Sequence, residues 1–252
     1  MSLTGRTDTI SSYTLKGAFS DEMWTACTRW DFAVDATANC RRLRSENPFG
    51  KSASWALDIS KIIHRRIDPM REAPLIRLAK AEIDRQIWNP LLLWHLTRDE
   101  FLLREFLTTF LWQRFDEGAL GVASDETLDW LAGIERERRL TWTATTRHRV
   151  ASGLRGIAEE FGLTNGRRFL PYHLPDESLL YLLHAISAAQ PNARRVLDDP
   201  DWRMFRLRPE DLERELLRLH QLHRLHYDVA GSFAQLRLPS PSLDACVAEM
   251  TA

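Results

Sequence analysis

Apolar residues in this chain recur three and four positions apart, and that spacing restricts it to a largely helical fold. Trp55, Ile59, Ile62 and Ile63 form one such stripe in SASWALDISKIIHRRI. Phe106, Leu107, Phe110 and Leu111 form another, in a helix expected over Asp99 to Phe115. Residues at these spacings share one face of a helix, so each stripe marks a surface that has to be buried against another element. Alternating runs are scarce. WRMFRL at 202–207 reads as a short strand, and LHYDVAGSFAQLRLP reads as a β-hairpin around Ala230-Gly231. This is too little strand for a sandwich or a doubly wound sheet, so the fold class expected is mainly α with small β-hairpin wings.

Local punctuation sets the element boundaries. The polar first dozen residues are expected to be frayed, and Ser20 reads as the N-cap of a helix carrying Met23, Trp24 and Cys27. Asp68-Pro69 ends the helix that holds the Ile59 stripe. Gly118 and Gly121 break the chain and suggest a boundary between an N-terminal unit, 1–117, and a C-terminal unit, 118–252. In the second unit Ser124 reads as the cap of SDETLDWLAG, the charged run ERERR at 135–139 as a turn, and Pro209 as the start of PEDLERELLRLHQLHRL. SLDACVAEM reads as a closing helix.

Several function classes are excluded early. The most hydrophobic window, 91–112, is interrupted by Arg98, Asp99, Glu100, Arg104 and Glu105, a set of charges too costly for one bilayer span. No apolar leader opens the chain, and Cys27, Cys40 and Cys246 are scattered without a CxxC, which fits buried thiols in a reduced, cytoplasmic protein. A net charge of −1 rules out a uniformly polybasic coat, so any nucleic-acid site must come from local patterning.

Such patterning occurs in LTWTATTRHRVASGLRG, 140–156, which contains no acidic residue. A helix from about Thr143 to Phe161 places Val150, Leu154, Ile157 and Phe161 on one side. The other side carries Thr145, His148, Arg149, Ser152 and Arg155, with Arg147 at the edge of the stripe and Thr146 in the first turn. Gly153 and Gly156 are small enough to allow another surface to approach closely. Hydroxyls and guanidiniums on one helix face suit phosphates and base edges of duplex DNA. A helix upstream and Arg167 and Arg168 beside an Asn-Gly turn downstream complete the order of a winged helix-turn-helix. From Arg136 to Arg168 eight arginines face three glutamates. A second basic run, Arg41 to Arg66, holds seven Lys or Arg against two carboxylates, with Lys51, Lys61 and Arg65 as candidate contacts and Arg66 close to the apolar stripe. A solvated helix surface or a docking face for an acidic partner would carry the same pattern.

Chemistry of other kinds finds no support. His220, His223 and His226 drift around a helix and do not converge as zinc ligands, His223 instead continuing the Leu212, Leu216, Leu219 face. DDPD at 198–201 reads as a turn ending in Trp202. No phosphate loop, dinucleotide fingerprint or nucleophile elbow is present, so neither a catalytic residue nor a cofactor is assigned.

WTATTRHRVASGLRGIAEEFGL, and the later pairing of WRMFRLRPEDLERELLRL with LHYDVAGSFAQLRL, resemble the BrxA proteins, small accessory components of bacteriophage exclusion (BREX) defence systems. The order of elements is similar from Tyr13-Thr14-Leu15 onward. The resemblance implies winged helix-turn-helix domains in both halves, binding of duplex DNA and a role beside larger defence enzymes. It maps the DNA contacts onto Thr145, Thr146, Arg147, Arg149, Ser152 and Arg155, with Arg167 and Arg168 in the wing. The reading that follows is a non-enzymatic double-stranded-DNA-binding accessory protein, with other BREX proteins as further partners and no membrane. Its rivals are an adaptor docking a methyltransferase or ATPase, and an autonomous winged-helix regulator.

Overall fold

The structure, a computed structural model, describes residues 14–190, 192–230 and 233–252. The opening segment expected to be frayed, and Gly231, expected at the centre of the C-terminal hairpin, lie outside the described residues. After a 3-10 turn at Thr14–Lys16 come α1 (Ser20–Thr28), α2 (Ala36–Glu46), α3 (Ala53–Arg66), α4 (Ala73–Lys80) and α5 (Arg85–Thr97). Then α6 (Phe101–Glu105), a π-helical segment (Phe106–Leu111) and α7 (Trp112–Asp116) follow one another without a break. The second half holds α8 (Ser124–Arg138), α9 (Ala144–Glu160), β1 (Thr164–Asn165), β2 (Arg168–Phe169), α10 (Asp176–Ala189) and α11 (Ala193–Leu197). A 3-10 helix (Pro200–Phe205), α12 (Pro209–Gln221), β3 (His226–Ala230), β4 (Phe233–Arg237) and α13 (Leu243–Met250) complete it.

The protein is therefore mainly helical, with two small antiparallel hairpins, as the spacing of its apolar residues predicts. In the first hairpin Thr164 pairs with Phe169, and in the second His226 pairs with Arg237 through to Ala230 with Phe233. Both hairpins follow residue 117, and the described part of 14–117 is built of helices alone. The predicted stripes are core: Ile59, Ile62 and Ile63, then Phe106, Leu107 and Leu111, then Val150, Leu154, Ile157 and Phe161 are all buried. They belong to one cluster that continues across residue 117, from Leu15 to Val247. Cys27, Cys40 and Cys246 are buried free thiols.

Five local expectations are corrected. Ser20 and Ser124 are the first residues of their helices and not the caps. At α1 the carboxylate of Glu160 takes the N–H groups of Ala18 (3.1 Å) and Ser20 (2.6 Å), and at α8 Glu126 takes the N–H of Ala123 (2.7 Å). ERERR is not a turn: α8 runs through Arg138, and Arg139 reverses the chain with φ +55°. WRMFRL is not a strand. Asp199 accepts the N–H of Asp201 (2.9 Å) ahead of Pro200, which starts a 3-10 helix whose Trp202, Met204 and Phe205 are buried. Finally, α12 stops at Gln221. His223 takes φ +55°, and Arg224 N–H bonds back to Leu219 O (2.9 Å), so His223 is exposed and does not extend the Leu219 face.

A buried carboxylate locks the middle of the molecule. Asp201 accepts from Trp94 Nε1 (2.8 Å), Arg98 (2.7 Å) and Arg104 (2.6 Å), joining α5 and α6 to the 3-10 helix. Removing its charge would weaken both ion pairs and turn an amide NH2 toward at least one of its three donors in a mostly dry site. Asp201→Asn is expected to lower the unfolding free energy by about 3 kcal/mol in urea titrations, whereas Asp198→Asn, at an exposed position, changes it by less than about 0.5 kcal/mol. The two glycines of α9 give a second contrast. A Cβ on Gly153 would lie 1.6 Å from the carbonyl oxygen of Leu15, and one on Gly156 would meet nothing within 4 Å. Gly156→Ala should stabilise by about 0.5–1 kcal/mol through helix propensity, and Gly153→Ala should destabilise by more than that, both read from thermal unfolding.

Candidate nucleic-acid interface

The geometry of α9 follows from its sequence. Thr143 caps it, its hydroxyl accepting the N–H of Thr146 (3.2 Å) and lying 3.0 Å from the Thr146 hydroxyl. At the other end Gly162 takes φ +70°, and Leu163 N–H closes on Ala158 O (2.9 Å). With the apolar stripe buried, Thr145, His148, Arg149, Ser152 and Gly156 are exposed. Gly153 faces inward against the Thr14–Lys16 turn, so of the two glycines only Gly156 leaves open space.

The arginines of this stretch divide by partner. Arg147 is half-buried and held by Glu135 of α8, with Nε 2.8 Å and an outer nitrogen 2.6 Å from the same carboxylate oxygen. Arg155 is also half-buried and donates to the hydroxyl of Ser124. Arg149 is exposed and has no bonding partner among the described residues. Both ties run to α8, so two of the predicted contacts help fix the angle between α8 and α9.

Arg167 and Arg168 sit on the hairpin that follows. Gly166 adopts φ +57° in its turn, and its N–H bonds to the Glu159 carboxylate (3.2 Å). Both side chains are exposed and without a bonding partner among the described residues. A third chain segment supports the hairpin: Val122 N–H bonds to Arg167 O (2.7 Å), Phe169 N–H bonds to Leu120 O (3.0 Å), and Gly121 bridges Arg168. Position 121 has to be glycine, since a Cβ there would lie 1.8 Å from the Arg167 carbonyl oxygen. Underneath, Arg206 donates to the carbonyls of Leu163 and Leu170 and stacks over Phe169 (4.7 Å) and Phe115 (5.2 Å). Burial pushes its pKa down to about 10, and it still keeps two carbonyl acceptors. Arg206 has no signal in the sequence, because the residues it braces lie 36 and 43 positions away.

In the N-terminal basic run, Lys51, Lys61 and Arg65 are exposed, with Lys61 3.9 Å from Asp58. Arg66 is structural. It is buried, donates to Gly17 O (2.8 Å) and Ala18 O (2.5 Å), and has its pKa lowered to about 10 by burial. The histidine triplet does not assemble. His220 and His226 rings stand 5.1 Å apart, His220 Nδ1 accepts the N–H of Tyr227 (3.2 Å), and the described residues contain no cluster of three metal-ligating side chains. No helix among them is long and apolar enough to cross a membrane.

The model of the BrxA family matches residues 10–185, a span that includes α1 to α9 and the first hairpin. The chain is also similar to the crystal structure of an uncharacterized protein from Magnetospirillum magneticum. The two are 14% identical, and the TM-score of 0.60 extends over 78% of this chain and 97% of the other, a likeness of fold. A search of curated proteins gave no match. With well over half of its length matched by one family model, the chain belongs to the BrxA family, and is thereby a BREX-associated defence component.

Proposed function

We propose that the protein is a non-enzymatic accessory component of a BREX system that binds double-stranded DNA, with residues 118–170 acting as a winged helix-turn-helix. One observation carries the reading. Three cations, Arg149 on α9 and Arg167 and Arg168 on the hairpin hung from its end, are exposed and without a partner among the described residues, while their neighbours are tied into the scaffold. In this reading α9 lies in the major groove, with Thr145 and Ser152 beside Arg149, and the hairpin is the wing that reaches the adjacent backbone. Thr146 contributes at the edge, as do Arg147 and Arg155, which also brace α9 against α8. Lys51, exposed just ahead of α3, adds a further phosphate contact. Most of the binding free energy then comes from phosphates, so sequence preference is modest and salt dependence steep.

The double variant Arg149→Ala with Arg168→Ala is expected to weaken binding to a random duplex at least tenfold. It should also reduce the magnitude of the slope of log K against log salt by about 2, measured by fluorescence anisotropy at several salt concentrations. Arg147→Ala should have a smaller effect on affinity. Equal affinity and slope in the double variant and the parent protein would sink the reading, and the cationic face would then belong to an acidic protein partner.

A further inference from the structure

The pairing between α2 and α3 leaves a cleft of about 720 Å³, outside the α9 surface. Arg41 and Arg44 line it from α2 and Lys61 and Arg65 from α3, together with Leu57, the buried thiol of Cys40 and the carboxylate of Asp58. The spacings of three on α2 and four on α3 turn each pair onto one helix face. The packing of the two helices brings the pairs together.

The arginines of this region are not a uniform solvated coat. Arg42 donates to Arg29 O (2.6 Å) and Asn39 (2.9 Å), and Arg66 is buried against Gly17 and Ala18. Those that line the cleft are the ones left over. Arg41, Arg44 and Arg65 have no bonding partner among the described residues, and Lys61 has only Asp58 at 3.9 Å. Arg44 and Arg65 also lie in the last turns of their helices, where a cation offsets the negative end. That local use is met on any side of the turn and does not require both helices to direct their cations into one recess.

We propose that this cleft binds a nucleoside polyphosphate, the phosphates against the four cations and the base against Leu57 and Cys40. The volume falls within the range of small-molecule sites. Guanidinium forks match phosphate oxygens, and low-dielectric walls strengthen the field of clustered cations. An open recess lined in part by Leu57 and Cys40 suits a single nucleotide unit better than the convex backbone of a duplex. The proposal does not depend on the reading of α9.

The test uses the full chain in calorimetric titrations with ATP, tripolyphosphate and adenosine, alongside duplex binding. ATP is expected to bind saturably in the micromolar to millimolar range. Tripolyphosphate should bind about fivefold more weakly for want of a base, and adenosine at least tenfold more weakly for want of phosphates. The exposed pair Arg44→Ala with Arg65→Ala should lower ATP affinity at least tenfold, and Arg149→Ala with Arg168→Ala should leave it unchanged. The proposal is overturned by no saturable ATP binding, by tripolyphosphate matching ATP, or by full ATP affinity in the Arg44, Arg65 variant. It is equally overturned if that variant weakens duplex binding while ATP does not bind, which would make the cleft part of a duplex surface. Failure of the Arg149, Arg168 variant to affect duplex binding would remove the DNA reading and leave the ATP result standing.

Discussion

Two adjacent carboxylates at the end of α9 hold the structure together around it. Glu159 takes the N–H of Gly166 in the first hairpin, and Glu160 takes the N–H groups of Ala18 and Ser20 ahead of α1. One helix end is thereby fastened both to the segment that follows it and to a segment some 140 residues earlier in the chain. Gly153 adds to the second attachment by allowing the Leu15 carbonyl to pack directly on the helix. Arg66 holds the same Gly17–Ala18 stretch from the side of α3. The exposed face of α9 owes its orientation to this seam, because the apolar stripe fixes only which side of the helix is buried.

The same carboxylates change the meaning of local charge. Counted along the sequence, Glu159 and Glu160 oppose the arginines of α9. In the folded protein they are occupied with backbone N–H groups, while Glu135 opposes one arginine in particular, Arg147. A basic run is therefore a poor measure of a basic surface. In the stretch 136–168 some arginines are fastened and others free, and in 41–66 the contrast between Arg66 and Arg65 falls on consecutive residues.

What could be read from the sequence follows from the range of the interactions. The helical stripes, the Asn-Gly turn and the C-terminal hairpin all depend on residues within a few positions of each other, and each is found where the spacing puts it. The turn expected at 135–139 and the course of α12 through His223 fail for a common reason, whereas the strand expected at 202–207 fails because Asp199 and Pro200 start a 3-10 helix. Several elements here end with a left-handed residue that is not glycine: Glu82, Arg139, Arg206 and His223. In each case the next residue's N–H closes on a carbonyl five positions back, as it does after Gly162, but no residue type marks the place. The Asp201 junction, the Arg206 brace and the Glu135–Arg147 pair were illegible because their members come from distant parts of the chain. In the candidate interface, the cationic residue types were readable and their availability was not.

The left-handed helix ends bear on how this protein could change over time. A side chain in that conformation costs roughly 1 kcal/mol relative to glycine, and at Arg206 the cost is offset by the bonds its guanidinium makes under the hairpin. Glu82 and His223 have no such compensation among the described residues. Glycine at those two places would raise heat resistance and leave α9, the hairpin and the α2–α3 cleft untouched. The stability of these two helix ends is thus set apart from the α9 face and the cleft, and a lineage moving to a warmer habitat could adjust it without altering either.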